Sequence, residues 1–248
     1  MTMKLFGLSL LVCACLLVSA RADLTIVHKV EGIGGGGEMT MKIKGDKMRI
    51  EVSPQITTIF DGKTGELTNL MNDQKAVVRI SADKMKAAAE MINKFSSKKE
   101  SAEKAKLVPT GKKETINGYE TEQYAYDAPD FKATYWIALN YPDGAAILKQ
   151  LQAIKSEAWN ATNTKMPDYR DFPGLPIRTH ITMAKPHQGT ASSSTASGSG
   201  TEITTTLISI KQDPLSDAEF TIPNDYQEMS MPDIFGGRKA APSISPNP

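Results

Sequence analysis

Histidine is the side chain most readily used for proton transfer or metal ligation near neutral pH, and this chain has three, His28, His180 and His187. No two stand four residues apart and no H-E-x-x-H occurs, so the spacing that sets two ligands on one helical face is missing. His28 and His180 fall in strand-like text and read as sheet residues. Two carboxylate pairs, Asp168 with Asp171 and Glu120 with Glu122, have the residue types for acid–base work or for calcium. Glu120 and Glu122 share one side of an extended run, the position of a solvated outer row, while Asp168 and Asp171 flank Tyr169-Arg170 in a connector. Gly32-Ile33-Gly34-Gly35-Gly36-Gly37 satisfies G-x-G-x-x-G, the pattern that lets backbone approach a pyrophosphate at a helix start. The next residues, Glu38 to Lys44, alternate as a strand does, so no helix N-terminus is at hand and a hairpin tip is expected. There is no G-x-S-x-G elbow, and Asn160-Ala161-Thr162, a formal glycosylation triplet, is too common by chance to weigh. These residues assemble no nucleophile, metal set or acid–base pair, so neither an enzyme nor a cofactor is expected.

The first 22 residues constrain the rest. Met1 to Lys4 form a short positive start, Leu5 to Val18 an apolar stretch, and Ala20-Arg21-Ala22 a small-x-small site, the three parts of a secretory signal peptide cleaved after Ala22. Lipid attachment at Cys15 is the competing reading of the same segment. Both cysteines, Cys13 and Cys15, lie within it, so the exported chain is expected to carry no thiol chemistry and no disulfide. The whole chain of 248 residues balances 29 Lys+Arg against 28 Asp+Glu, which gives no electrostatic ground for nucleic-acid binding. Beyond the leader no apolar stretch approaches the roughly 18 residues of a membrane span.

The elements that would position any site are mostly strands. From Asp23 to Ser81 apolar and polar residues alternate: Met39, Met41 and Ile43 share one side, and after the turn at Gly45-Asp46 so do Met48, Ile50 and Val52. Short runs at Ile56 to Phe60, Glu66 to Leu70 and Lys75 to Ile80 continue the meander. Ser81 caps a helix expected from Asp83 to about Lys104, with Met85, Ala88, Ile92 and Phe95 on one side. Strand text returns from Leu107 to Leu139, broken at Asn117-Gly118 and Ala128-Pro129-Asp130. A second helix, Gly144 to Trp159, carries Ile147, Leu148, Leu151 and Ile154 as its stripe, and Ile177 to Ala184 and Glu202 to Lys211 close the set. About ten strands and two helices in one domain, residues 23–228, argue α+β: a large antiparallel sheet with helices on one face. The Ser/Thr/Gly stretch at 187–200 is expected as a flexible loop and 229–248 as a disordered Pro/Ser-rich tail.

Methionine is the one unusual feature of the apolar set. Met39, Met41, Met48, Met85, Met91 and Met183 take inward positions, and a flexible, polarizable side chain suits a surface that accommodates acyl chains, though it also serves as core filler.

Several segments in order carry a resemblance. They are Lys47-Met48-Arg49-Ile50-Glu51, Thr57-Thr58-Ile59-Phe60-Asp61-Gly62, Gly118-Tyr119-Glu120 leading to Tyr124, Thr134-Tyr135-Trp136-Ile137-Ala138, Gly174-Leu175-Pro176-Ile177 and Phe220-Thr221-Ile222-Pro223-Asn224-Asp225-Tyr226. With the signal peptide, this order resembles the LolA/LppX/LprG-like superfamily of exported bacterial proteins, the outer-membrane lipoprotein carrier-like group, and within it a secreted branch of unknown function. The resemblance spans about residues 24 to 228 and implies an unclosed antiparallel barrel with helices on its concave face. It implies binding rather than catalysis, with Met39, Met41, Met48, Ile50, Val78, Ile80, Trp136, Leu148 and Leu151 as candidate pocket lining. The expected function is a periplasmic or secreted protein that binds lipid acyl chains or a lipoprotein in an apolar groove between sheet and helices. The alternative is an envelope protein that binds a protein partner through its sheet surface or edge; exposed apolar surface on the convex face or an unprotected edge strand would favour it.

Overall fold

The computed structural model describes residues 22–32, 36–95, 105–128, 131–154, 166–183 and 202–229. Residues 1–21 of the expected signal peptide, the expected 187–200 loop, the second half of the first expected helix, Trp159, Asn160 and residues 230–248 lie outside them, as do the side chains of Ile92 and Phe95.

The alternating text forms strands where expected: β1 (Leu24–Gly32), β2 (Gly37–Lys44), β3 (Lys47–Ser53), β4 (Ile56–Asp61), β5 (Glu66–Met71) and β6 (Ala76–Ile80). After the helix α1 (Ala82–Phe95) come β7 (Val108–Ile116), β8 (Tyr119–Asp127) and β9 (Phe131–Ala138). The helix α2 (Gly144–Ala153) precedes β10 (Leu175–Met183), β11 (Glu202–Lys211) and the two-residue β12 (Gln227–Glu228). Register follows the hydrophobic pattern, Met41 opposite Ile50 and Ile43 opposite Met48, because a one-residue slip would carry every apolar side chain to the wrong face. Glycine-led turns close the hairpins, with Gly45 and Gly118 at positive φ. The glycine-rich segment is bracketed by the β1–β2 pair, Val30 opposite Gly37, so it is a hairpin connection with no helix behind it.

All strands form one sheet in the order β12-β6-β5-β4-β3-β2-β1-β11-β10-β9-β8-β7. Two meanders, β1 to β6 and β7 to β11, join where β1 pairs with β11. The sheet is α+β in class and does not close into a barrel, since β12 and β7 remain its two ends. The helix α1 starts directly after β6 near one edge of the sheet, and the chain next enters the sheet as β7 at the other edge. Ser81 supplies the start of α1, its Oγ accepting from Lys84 N (3.4 Å) and its carbonyl from Met85 N (3.0 Å). The end of α2 reaches the turns between β2 and β3 and between β4 and β5: a Cβ on Gly62 would come within 2.9 Å of the Asp46 carbonyl and 3.2 Å of that of Ile154.

The opposite face of β2 to β6 is crossed by the segment after β11. Lys42 Nζ meets Glu219 at 2.5 Å, Arg49 Nη1 donates to the Glu219 carbonyl (2.9 Å) and Lys44 Nζ to that of Leu215 (2.6 Å). Ile222 and Tyr226 pack on Ile59, Leu70 and Val77, and Tyr226 Oη bonds Asn72 at 2.9 Å. This strap ends as β12, whose parallel pairing takes up Ala76 and Val77 at the start of the β6 edge, and Met229 N still donates to the Val77 carbonyl (2.8 Å). At the other edge β7 carries Pro109, a register shift between Pro109 and Lys113, Gly111 at positive φ, and Lys112 and Lys113, all of which discourage strand addition.

Candidate functional site

Cross-strand pairing sorts the side chains into two faces. On the helix side stand Leu24, Ile26, His28 and Val30 of β1; Met39, Met41 and Ile43 of β2; Met48 and Ile50 of β3; and Ile56, Thr58 and Phe60 of β4. Leu67, Asn69 and Met71 of β5 and Ala76, Val78 and Ile80 of β6 continue the face on one flank. On the other it runs through Ile203, Thr205, Leu207 and Ile210 of β11, Thr179, Ile181 and Met183 of β10, and Phe131, Ala133, Tyr135 and Ile137 of β9. Not one of these residues is charged; the charged side chains of β1 to β6, among them Lys29, Lys42, Arg49, Glu51 and Arg79, occupy the opposite face.

The two ends of this face differ. Toward α2, Leu24, Ile43, Phe60 and Ile137 are fully excluded from solvent, and Met48, Met85 of α1, Ile147 and Leu148 of α2, and Ile154 just after it pack with them in one cluster. Toward the β1–β2, β3–β4 and β10–β11 connections the same face is partly open: Ile56 is 47% exposed and Met183 44%, while Met39, Val30, Ile181 and Ile203 are half-buried. Val52, at the register shift beside Ile56, is 52% exposed. Over β8 and β9 the face is sealed by aromatic contacts, with Tyr135 edge-on to Phe172 at 5.1 Å and Tyr126 stacked near Phe131 at 5.9 Å.

The polar groups of the face are few. Thr58 donates to Asn69 Oδ1 at 2.8 Å, so that pair is self-satisfied. Among the described residues, two buried polar atoms have no partner, His28 Nδ1 and the Tyr135 hydroxyl. Desolvation pushes the His28 pKa down and that of Tyr135 up, so both are neutral near pH 7. His180, on the other face, differs: its ring nitrogens meet Thr204 Oγ1 (2.9 Å) and Thr182 Oγ1 (3.4 Å). The carboxylate pairs have structural partners. Asp168 caps the 3-10 turn at Tyr169–Asp171 and pairs with Arg170 at 2.8 Å, while Lys113 bridges Glu120 and Glu122 at 3.4 and 3.1 Å in solvent. Among the described residues no three His, Cys, Asp or Glu side chains come together as a metal set.

Of the nine residues proposed as pocket lining, six are brought to the helix side of the sheet: Met39, Met41, Met48, Ile50, Val78 and Ile80. Leu148 and Leu151 face the same cluster from α2. Met48, Val78 and Leu148 are buried filler, whereas Met39, Met41 and Ile50 reach the open part. Trp136 stands apart. It alternates out of the row of Tyr135 and Ile137 and lies opposite Arg178, whose guanidinium sits 5.6 Å from its ring centroid and whose Nη1 reaches Glu114 at 3.1 Å. Sequence reasoning did not single out Ile56, Ile181, Ile203 or the orphaned nitrogen of His28. The alternation of β4, β10 and β11 was the available signal for the first three.

Solved structures that this chain matches include PNGF-II in a P21 crystal form, 12% identical with a TM-score of 0.39 over 85% of this chain and 32% of that one. This chain thus spans about a third of the length of PNGF-II. Another is a DUF1329 family protein from Desulfovibrio piger, 10% identical with a TM-score of 0.30 over 82% of this chain and 91% of that one. No curated protein matches the sequence. The family model that matches residues 23–226 takes in every strand from β1 to β11 together with the strap as far as Tyr226, and the chain belongs to that family, DUF4412, a domain of unknown function.

Proposed function

We propose that the protein is an exported, non-enzymatic binder or carrier of a lipid or of a lipidated protein, and that the acyl chain lies on the open half of the helix-side face. The observation that carries this reading is the uncharged, partly exposed apolar surface formed by Val30, Met39, Ile56, Ile181, Ile203 and Met183, continuous with a closed core. Each methylene removed from water there contributes about 0.8 kcal/mol, so a chain of about ten carbons placed against it is held without any charged contact. The resemblance to the LolA/LppX/LprG-like superfamily supports the same reading, as does the leader expected at residues 1–22.

Partner binding through a sheet edge is less well supported. The start of the β6 edge, Ala76 and Val77, is already paired by β12, and β7 carries proline, glycine and lysine at the places where an added strand would pair. The test is to express the chain with its leader in a Gram-negative periplasm, purify it without detergent, and combine native mass spectrometry with organic extraction. A stoichiometric phospholipid or acyl adduct supports the reading. A clean apo mass that persists after incubation with lipid vesicles overturns it in favour of a protein partner.

A further inference from the structure

On the floor of the helix-side face a half-buried histidine has no hydrogen-bond partner among the described residues. His28 lies on β1 between Ile26 and Val30, opposite Met39 on one side and Leu207 on the other, where the closed end gives way to the open one. Among the described residues no group hydrogen-bonds to the ring, and Nδ1 is buried. A buried polar atom left in that state costs about 1–3 kcal/mol, which a ligand supplying the missing partner recovers.

A second observation falls at the same place. β11 is bulged opposite Val27 and His28, with Ile208 as the extra residue between Leu207 and Ser209. The bulge is pinned by Asn117, whose Nδ2 reaches across from the β7–β8 turn to the Leu207 carbonyl at 2.6 Å. Bulges of this kind redirect side chains beside binding sites, and this one lies against the histidine of the face.

The chemistry of the surroundings narrows the ligand. On β1 to β6 and β9 to β11 the rows of this face carry no lysine or arginine, Lys113 lying beside Glu122 on the β7–β8 flank, so a carboxylate or phosphate buried beside His28 would find no counter-charge on the neighbouring strands. A neutral imidazole with both nitrogens unengaged can place its single N–H toward an uncharged acceptor. We propose, building on the lipid-binding reading above, that His28 is the polar anchor of the groove and that the ligand is a neutral acyl ester, its carbonyl oxygen accepting the imidazole hydrogen bond. A free fatty acid would leave its carboxylate at the mouth, in water.

Tyr135 provides the internal control. Its hydroxyl is equally unpartnered, but the residue is only 4% exposed beneath Phe172, out of a ligand's reach. The experiment measures displacement of a fluorescent acyl probe by a monoacylglycerol, by the matching fatty acid and by the matching alkane. It uses the wild-type chain and the variants His28→Leu, His28→Gln and Tyr135→Phe. Wild type should prefer the ester to the alkane by about tenfold, the worth of one good neutral hydrogen bond. His28→Leu should lose that preference while still binding the alkane, His28→Gln should keep most of it, and Tyr135→Phe should leave it unchanged. If all variants bind the ester as wild type does, His28 is no anchor although the groove binds lipid. If wild type displaces no probe with any of the three, the lipid-binding reading and this inference fall together.

Discussion

One face of one sheet behaves in two ways along the length of its strands. At the α2 end Leu24, Ile43 and Phe60 are sealed, and two helices press Met85, Ile147 and Leu148 onto them. At the other end Ile56 and Met183 continue the same rows into solvent. The residue types barely change between the two ends; what changes, among the described residues, is whether a helix covers them. Stability is therefore concentrated at one end, and apolar surface available for binding at the other.

The largest effect expected from breaking this contrast is Met48→Asp. An unpaired charge in the sealed end should cost about 3–5 kcal/mol, enough to unfold the domain or drop its melting temperature steeply in calorimetry. Ile56→Asp makes the same chemical change at the open end and should cost under about 1 kcal/mol, while abolishing acyl-probe binding. Equal destabilisation at the two positions would mean the ends do not differ. On the other face, Tyr226→Phe should cost about 1 kcal/mol through loss of the bond to Asn72, with no change in lipid binding. Tyr135→Phe should leave stability unchanged or slightly raised, because it removes a hydroxyl that was buried without a partner.

A smaller effect is expected from pH. Glu219 has its pKa lowered by the hydrogen bond from Lys42, and Asp225 by that from Lys75. A carboxylate depressed in the folded state stabilises it above the ordinary carboxylate range, and that contribution disappears as the pH falls through the lowered value. The strap should thus loosen below about pH 4.5 while the uncharged face is indifferent. Melting temperatures of wild type and Glu219→Gln should converge in acid and separate slightly near neutrality.

Much of the architecture is legible in the sequence because period-two alternation is strong wherever one face is apolar and the other charged, as from Met39 to Val52. The side of Trp136 is not legible, since Tyr135, Trp136, Ile137 and Ala138 are apolar in succession and only pairing with Arg178 decides which way the ring points. The joining of the two meanders through β1 and β11 is equally hidden, because Ile26 and Ile210 are brought together by topology and by nothing local. Phe220 to Tyr226 carries part of the resemblance, but its packing as a strap over Ile59, Leu70 and Val77 is not legible because Ile222 and Tyr226 sit in irregular text without periodicity. The orphaned nitrogen of His28 is a property of its surroundings, and no local pattern announces it.

The most direct test of the central claim uses the methionines as reporters. With 13C-methyl methionine in the chain, a monoacylglycerol is titrated and the methyl spectrum followed. The signals of Met39 and Met183 at the open end should shift saturably, while those of Met48 and Met85 in the sealed end stay in place. Shifts at Met48 with Met39 and Met183 unmoved, or no shift at any of the four at saturating lipid, would contradict it.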